Sequence, residues 1–582
     1  LSIPTSYNNL MRTPLLLLTL VFSHAVFTAN AAPLSAAMPR SAVGYVEIND
    51  LGQRLIQLRD SAYYSDALDS PQIKQAMQQP QYEKFAAGRK VAEAYLGMNL
   101  WTAAEKLLGE IAVGVYSKAE VEQPDLAVMI RVTDPAAWAH VRERIEPLIT
   151  LAEDTVKREM RGELELLTIE GKAFLVLHKN WIAAASTAAL LDQSIAGLRG
   201  DAKVVVAHNP AFKKMERDMG AEHFVRAWTD LGFFRKLAGE RFNLPEKYND
   251  GFVSLMFSGI MELAMQSDYL GLTLDADKTG LKFAAGIEGD PKVLGDKFGW
   301  FFSKAGTPGT PGMPAVPGLM GGLSIHRDLS GWYGKREELM EERLQAGFDK
   351  FESEIGNLFP GRDIGEDIMP AFGSTVTFLA AKQSFEHFKG EPGIKLPGFA
   401  LLFDLKRPQD GNLFQLVFQT IVTITNLVAA EQGEREPSVM TAVVHEGVAI
   451  NTIQYLRPPQ GERLDISYNF MPCAATVNGR FVFCTSLELL KSLVTELKKP
   501  QNPKRVNRNF NFELHPSALA GLVAINRRTL VAKNIQTGKP AEQARAEIQL
   551  AERLLNAVEI LRFSTSVKDK GFQIQLEGKW AE

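Results

Sequence analysis

Four stretches in the first half of this chain return, in the same order, in its second half. "LAVMIRVTDPAAW" (126–138) is answered by "FALLFDLKRPQDG" (399–411), each a strand-like run followed by a proline-started segment. "KNWIAAASTAALLDQSIAGL" (179–198) is answered by "NGRFVFCTSLELLKSLVTEL" (478–497): turn, apolar strand, a Ser/Thr pair suited to an N-cap, then an amphipathic helix. "FVRAWTDLGFF" (224–234) has its counterpart in "FNFELHPSALA" (510–520), and the closing hairpin at 272–289 has one at 563–578. "VGYVEIND" (43–50) and "GGLSIHRD" (321–328) match as first strands. Any one pair is weak, but several in register describe a tandem duplication.

Between the copies lies "KAGTPGTPGMPAVPG" (304–318), whose prolines and glycines hold neither a helix nor a central strand. This reading makes residues 32–303 the first copy, 304–318 a linker and 319–582 the second copy. Long helices mixed with hairpins, without regular strand–helix alternation, point to an α+β fold: two tandem copies of a largely antiparallel sheet with packed helices. Strand 126–132 is expected to occupy the place of 399–405, and 181–185 that of 480–484.

The chain carries its own address. Residues 11–31 hold Arg12, an apolar run from Leu15 to Phe27, and the small-x-small end Ala29-Asn30-Ala31. This is the pattern of a secretory signal peptide cut before Ala32, with Met11 as its start and residues 1–10 as an over-extension. The expectation is export by a Sec-type route to the periplasm or beyond, with no transmembrane segment in the mature chain. No cysteine lies near the cut, so a lipid anchor is not indicated. The full chain's net charge of −4 becomes −5 when Arg12 leaves, which excludes an electrostatic footprint for nucleic acid.

Chemistry-bearing motifs are scarce. The nine histidines form no HExxH and no His-x-His, and no Cys-x-x-Cys occurs, so no metal is expected. No G-x-S-x-G elbow, phosphate loop or dinucleotide turn is present, so no cofactor is expected and no catalytic residue is identified. His208-Asn209, His223 and Asp230 form a loose candidate group. Asp275, Asp277, Thr279 and Gly280 imitate the start of a calcium loop, but position twelve is Gly286 and the flanks are strands, so a hairpin turn is expected. The uncharged run 413–430 has a membrane span's length, yet its Gln, Thr and Asn content suits a buried or interface helix better. The basic loop 498–509 lacks aromatics and reads as a solvated connector.

Two features name residues. "FGWFF" places Phe298, Trp300, Phe301 and Phe302 before the linker, either as an apolar plug between copies or as an exposed contact for a protein or apolar ligand. The two cysteines, Cys473 and Cys484, flank Asn478-Gly479, the dipeptide of a type I′ hairpin. Counting outward from that turn pairs Cys473 directly with Cys484 at a hydrogen-bonded position, Cα atoms about 5.5 Å apart. With export, a disulfide is expected there. The first copy has Phe174 and Ala185 at the same places.

"PRSAVGYVEINDL", "DIMPAFGSTVTF" (367–378) and "NGRFVFCTSLELLKSL" resemble large exported bacterial proteins of unknown function, a type abundant in planctomycetes and cyanobacteria. The resemblance implies an exported, duplicated α+β protein and supplies no site residues. Three functions stay open: a non-enzymatic binding or scaffold protein, a hydrolase with its site between the copies, and a carrier of apolar ligands using a concave sheet and the helix at 413–430.

Overall fold

A computed structural model describes residues 33–581 except 70, 118–123, 153, 240–242, 278, 304–308, 357–358, 360, 387, 432–437, 456–462, 501–507 and 569. The proposed leader, with Ala29, Ala31 and Ala32, lies outside the described residues. The fold is α+β, and the chain forms two compact units: residues 1–242 with 267–288, and residues 243–266 with 289–582.

The first unit holds strands β1 (Gly44–Ile48), β2 (Glu110–Tyr116), β3 (Asp125–Arg131), β4 (Val156–Arg161), β5 (Leu164–Ile169), β6 (Ala173–Leu177), β7 (Trp181–Ala185), β8 (Val225–Asp230), β9 (Tyr269–Asp277) and β10 (Gly280–Glu288). They pair antiparallel in the order β4-β5-β6-β7-β3-β2-β1-β8-β9-β10. The second unit holds β11 (Leu319–His326), β12 (Phe372–Ala381), β13 (Gly398–Leu405), β14 (Ser438–His445), β15 (Val448–Tyr455), β16 (Cys473–Val477), β17 (Arg480–Cys484), β18 (Arg508–Leu514), β19 (Val558–Lys568) and β20 (Gly571–Trp580). Their order is β14-β15-β16-β17-β13-β12-β11-β18-β19-β20, again antiparallel throughout. Each strand of the first unit thus has its counterpart ten numbers later. The sequence-matched strands 126–132 and 399–405 are β3 and β13; 181–185 and 480–484 are β7 and β17.

Local chemistry explains the hairpins. Asn478 (φ 47°) and Gly479 (φ 73°) form the turn that pairs β16 with β17, and Glu446 and Gly447 (φ 47° and 78°) do the same between β14 and β15. Corresponding helices follow β7 and β17: Ala188–Leu198, with the Thr187 side chain accepting from Leu190 N, and Leu487–Lys498. Leu489, Leu490, Leu493, Val494 and Leu497 of the latter bury one face against Leu379, Ala400, Leu402, Val482 and both cysteines.

The Pro/Gly segment corrects an expectation. Its composition reads as an inter-domain linker, yet the units divide earlier in the chain, and its described part packs inside the second unit. Thr310, 2% exposed, donates its N–H to the Arg508 carbonyl at 2.7 Å, and Val316 joins the core beside Leu379 and Leu402. The reason lies in a missing element. The first unit covers one face of β8–β10 with the helix Pro210–Met219, whose Met215 and Met219 fill the space over Gly271 and Gly286. No such helix follows Leu487–Lys498 among the described residues, and the extended segment lies against β18 and β11 instead, Met313 filling the space over Gly322.

Candidate binding surface

The polar candidates do not converge. Asn209 and Asp230 accept from the first backbone N–H groups of the helices Pro210–Met219 and Leu231–Ala238, which are N-cap roles. His223 Nδ1 lies 2.7 Å from Asp275 Oδ2, and its Nε2 lies 3.0 Å from the Met219 carbonyl oxygen. Both ring nitrogens face acceptors, an arrangement that favours the doubly protonated ring. Burial works against that charge, but Asp275 and the carbonyl outweigh it and raise the pKa above the usual histidine value. A ring held this way has no free nitrogen for a substrate, so the pair is a strut rather than a base. Asp277 Oδ1 accepts from Thr279 N and Gly280 N, as a hairpin turn requires. No group of three or more His, Cys, Asp or Glu suited to a metal occurs among the described residues.

Two buried arginines are structural pins. In the first unit Arg226, 1% exposed, donates from Nε and Nη2 to Glu47 Oε2 at 2.9 and 2.7 Å. In the second unit Arg327, 3% exposed, lies 3.6 Å over the Phe301 ring and donates to the carbonyl oxygens of Leu255, Met256, Phe301 and His326. Burial pushes its pKa down to about 9.

The cysteine expectation divides. Cys473 does pair directly with Cys484 across β16 and β17, as Phe174 does with Ala185 across β6 and β7. In this structure the two sulfurs are not bonded to each other, and both side chains are fully buried. Cys473 Sγ–H points instead at the Cys484 carbonyl oxygen, 3.7 Å away. Burial, then the neighbouring Cys473 thiol, pushes the Cys484 thiol far above its ordinary pKa, so the thiolate that disulfide chemistry requires is suppressed in the folded protein. Thiol labelling of the denatured, unreduced protein should therefore give two labels per chain, and the native protein none; one disulfide per chain would contradict this.

Phe298, Trp300, Phe301 and Phe302 are all buried, so none presents an exposed contact. Phe301 fills the space over Gly259 of the helix Gly251–Gln266, and Phe302 meets Phe572 edge to face at 5.9 Å. The four rings belong to the core of the second unit.

The accessible apolar surface lies elsewhere. Across seven strands of the second unit, Phe483, Leu401, Phe378, Leu323, Phe512, Phe563 and Leu576 stand directly opposite one another in sequence. They share one face of the sheet. Leu401, Phe378 and Leu576 are 37–40% exposed, and the others are half-buried. The row begins beneath the helix Gly411–Glu431, whose Phe418 meets Phe483 at 6.0 Å. That helix buries Phe414, Phe418 and Val422 and leaves Leu416, Ile421, Ile424, Leu427 and Val428 exposed. It is long and apolar enough to cross a membrane by length and composition, but one face is committed to the core. The equivalent row in the first unit is Ala184, Val128, Val113, Val46, Ala227, Leu272 and Ala285, apolar but small. A shallow recess lined by Gln383, Phe385, Phe388, Tyr468, Met471, Ser486 and Leu487 has room for no more than about a water molecule, and its lining holds no carboxylate or histidine.

Sequence reasoning missed the row. Its trace was there, in strands apolar at both parities such as "FALLFDL", but that pattern reads equally as a strand covered on both sides.

These features define a class: a tandemly duplicated antiparallel α+β protein with one open apolar sheet face. No family model matches the chain, and no curated protein matches it. Among solved structures, crystal form III of TP0453 aligns at 10% identity over 45% of this chain and 81% of that chain, with a TM-score of 0.23. Crystal form IV aligns at 12% identity over 44% and 81%, with the same TM-score. Likeness at that level supports no statement about fold or activity.

Proposed function

We propose that this is an exported, non-enzymatic binding protein that carries an apolar ligand along the open sheet face of its second unit. The observation that carries the reading is the in-register row from Phe483 to Leu576. Strands spaced about 4.8 Å apart make the stretch from Leu401 to Leu576 roughly 24 Å long, with no charged side chain in it. An apolar chain laid there demands no hydrogen bonds, and each Å² removed from water contributes about 25 cal/mol. The helix beside the row is equally undemanding: the hydroxyls of Thr420, Thr423 and Thr425 each donate to the carbonyl four residues back. The leader-like residues 11–31 support export.

An acyl-chain fluorophore tests the reading. Phe378→Glu places a charge in the middle of the row at a side chain that is already 39% exposed, so the fold should tolerate it. The expected result is at least a roughly tenfold weaker probe affinity, about 1.4 kcal/mol, with unchanged circular dichroism. Val91→Glu, at an exposed position of the first unit, should bind as the parent does. Equal affinity for Phe378→Glu and the parent would end the proposal.

A further inference from the structure

The duplication supplies an internal control for one helix. Pro135–Leu151 follows β3 in the first unit, and Gly411–Glu431 follows its counterpart β13 in the second. The first helix is charged: Arg142, Glu143, Arg144 and Glu146 stand on it, and Arg158 of β4 donates to Glu146 at 2.8 Å. The second carries no charge from 411 to 430. An apolar composition of that kind is expected of a core helix, yet only 22% of its most apolar stretch is buried. Phe414, Phe418 and Val422 account for the face that packs on the core. Leu416, Ile421, Ile424, Leu427 and Val428 are between 43% and 60% exposed, and their spacing places them together on another side of the helix.

Size and chemistry together select what covers this side. From Leu416 to Val428 the helix rises about 18 Å and is about 10 Å wide, a footprint several-fold smaller than the about 800 Å² that each partner gives to a stable protein interface. The five exposed side chains are all aliphatic, whereas protein interfaces are anchored by Trp, Tyr, Met and Arg seated in shaped pockets. The polar groups of the helix are turned inward: the hydroxyls of Thr420, Thr423 and Thr425 donate to carbonyls four residues back, and Asn426 exchanges hydrogen bonds with the backbone of Ser438. A fluid acyl phase sets no minimum area and needs no matching pocket. It moulds to branched aliphatic side chains and stabilises each in proportion to the area withdrawn from water.

We propose that the helix Gly411–Glu431 docks the second unit on the surface of a lipid bilayer, lying in the interface plane with Leu416, Ile421, Ile424, Leu427 and Val428 among the acyl chains. Because Phe414, Phe418 and Val422 stay in the core, the helix lies on the bilayer and does not span it. In other helices that lie on membranes a basic polar face adds attraction to anionic lipid. Here the opposite face is taken up by the protein itself and the helix is uncharged to residue 430, so the docking is apolar and independent of headgroup charge. The inference goes beyond the carrier reading and stands without it.

Co-sedimentation of the full mature chain with phosphatidylcholine vesicles tests it. The parent should pellet with vesicles at about 1 mM lipid. Raising the salt from about 50 to about 500 mM, or adding phosphatidylglycerol, should leave the bound fraction unchanged, because no ion pair is involved. Combined Ile424→Glu and Leu427→Glu should weaken vesicle binding at least roughly 100-fold with unchanged circular dichroism, since both side chains are already exposed. Its affinity for a soluble acyl-chain fluorophore should equal the parent's, which separates this docking from the carrier reading. Combined Leu148→Glu and Leu151→Glu, at exposed positions of the first unit's helix, should pellet as the parent does. Parent protein left in the supernatant, binding that requires anionic lipid or is lost in salt, or full binding by the Ile424→Glu and Leu427→Glu variant would each overturn the proposal. So would self-association of the parent that this variant abolishes while neither protein binds vesicles, which would make a second copy the occupant.

Discussion

Glu47→Ala should lower the stability of the protein by about 3–5 kcal/mol, because it removes one partner of a buried ion pair and strands the other. Glu47 is fully buried and Arg226 is 1% exposed. Besides the two bonds from Arg226, Glu47 accepts from the Tyr45 hydroxyl at 2.7 Å and from Leu34 N at 3.2 Å. Arg226 also donates to Glu216 Oε1 and Ser35 Oγ. Loss of the Glu47 carboxylate therefore leaves a buried hydroxyl and a buried N–H unpaired and a guanidinium with only Glu216 for charge. It also releases Leu34, whose backbone N–H the carboxylate ties to the core of the first unit. The pair itself need not be strongly favourable, since replacing both partners by apolar groups avoids the orphaned charge. Glu47→Leu combined with Arg226→Met should accordingly lose much less than Glu47→Ala alone. Thermal unfolding followed by circular dichroism measures this, and about 2–4 °C per kcal/mol makes the single variant's shift near 10 °C. A single variant that melts with the parent would show that the network does not stabilise the fold.

Phe301→Ala should cost a similar amount, about 3–5 kcal/mol, through the cavity left by a fully buried ring. The ring is held from several directions. A Cβ on Gly259 would come within 2.5 Å of it, Arg327 sits 3.6 Å over its face, and Trp300 and Phe302 meet it at 5.4 and 4.8 Å. Its absence also removes the surface on which the carboxylate-free Arg327 charge rests, so packing and cation–π attraction disappear together. Phe301→Leu should recover part of the loss. Gly259→Val, which needs space the ring occupies, should also destabilise, by overpacking rather than by a cavity. Chemical denaturation of the three variants separates these outcomes. A Phe301→Ala loss below about 1 kcal/mol would mean that the cluster repacks freely.

The duplicated strand order, the α+β class and the pairing of Cys473 with Cys484 were legible without a structure. Each depends on local chemistry. The Asn478-Gly479 turn sets the register of β16 and β17 whatever surrounds them, and alternating apolar runs with capped helices recur in both copies because each hairpin and helix is specified within a few residues. What required the tertiary structure is everything that depends on which element covers which face. Arg226 meets Glu47 across 179 residues, and the helix Gly251–Gln266, between β8 and β9 in the chain, packs with the second unit. The Pro/Gly segment, locally a linker, occupies ground that a helix holds in the first unit. The cysteines face each other as their spacing requires, and the helix Leu487–Lys498 buries them both. Phe378 and Phe301 are both aromatics in apolar surroundings, and only the arrangement of distant helices leaves the first open to solvent and closes over the second. Burial is a sum over neighbours brought together from across the chain, so no window of sequence contains it.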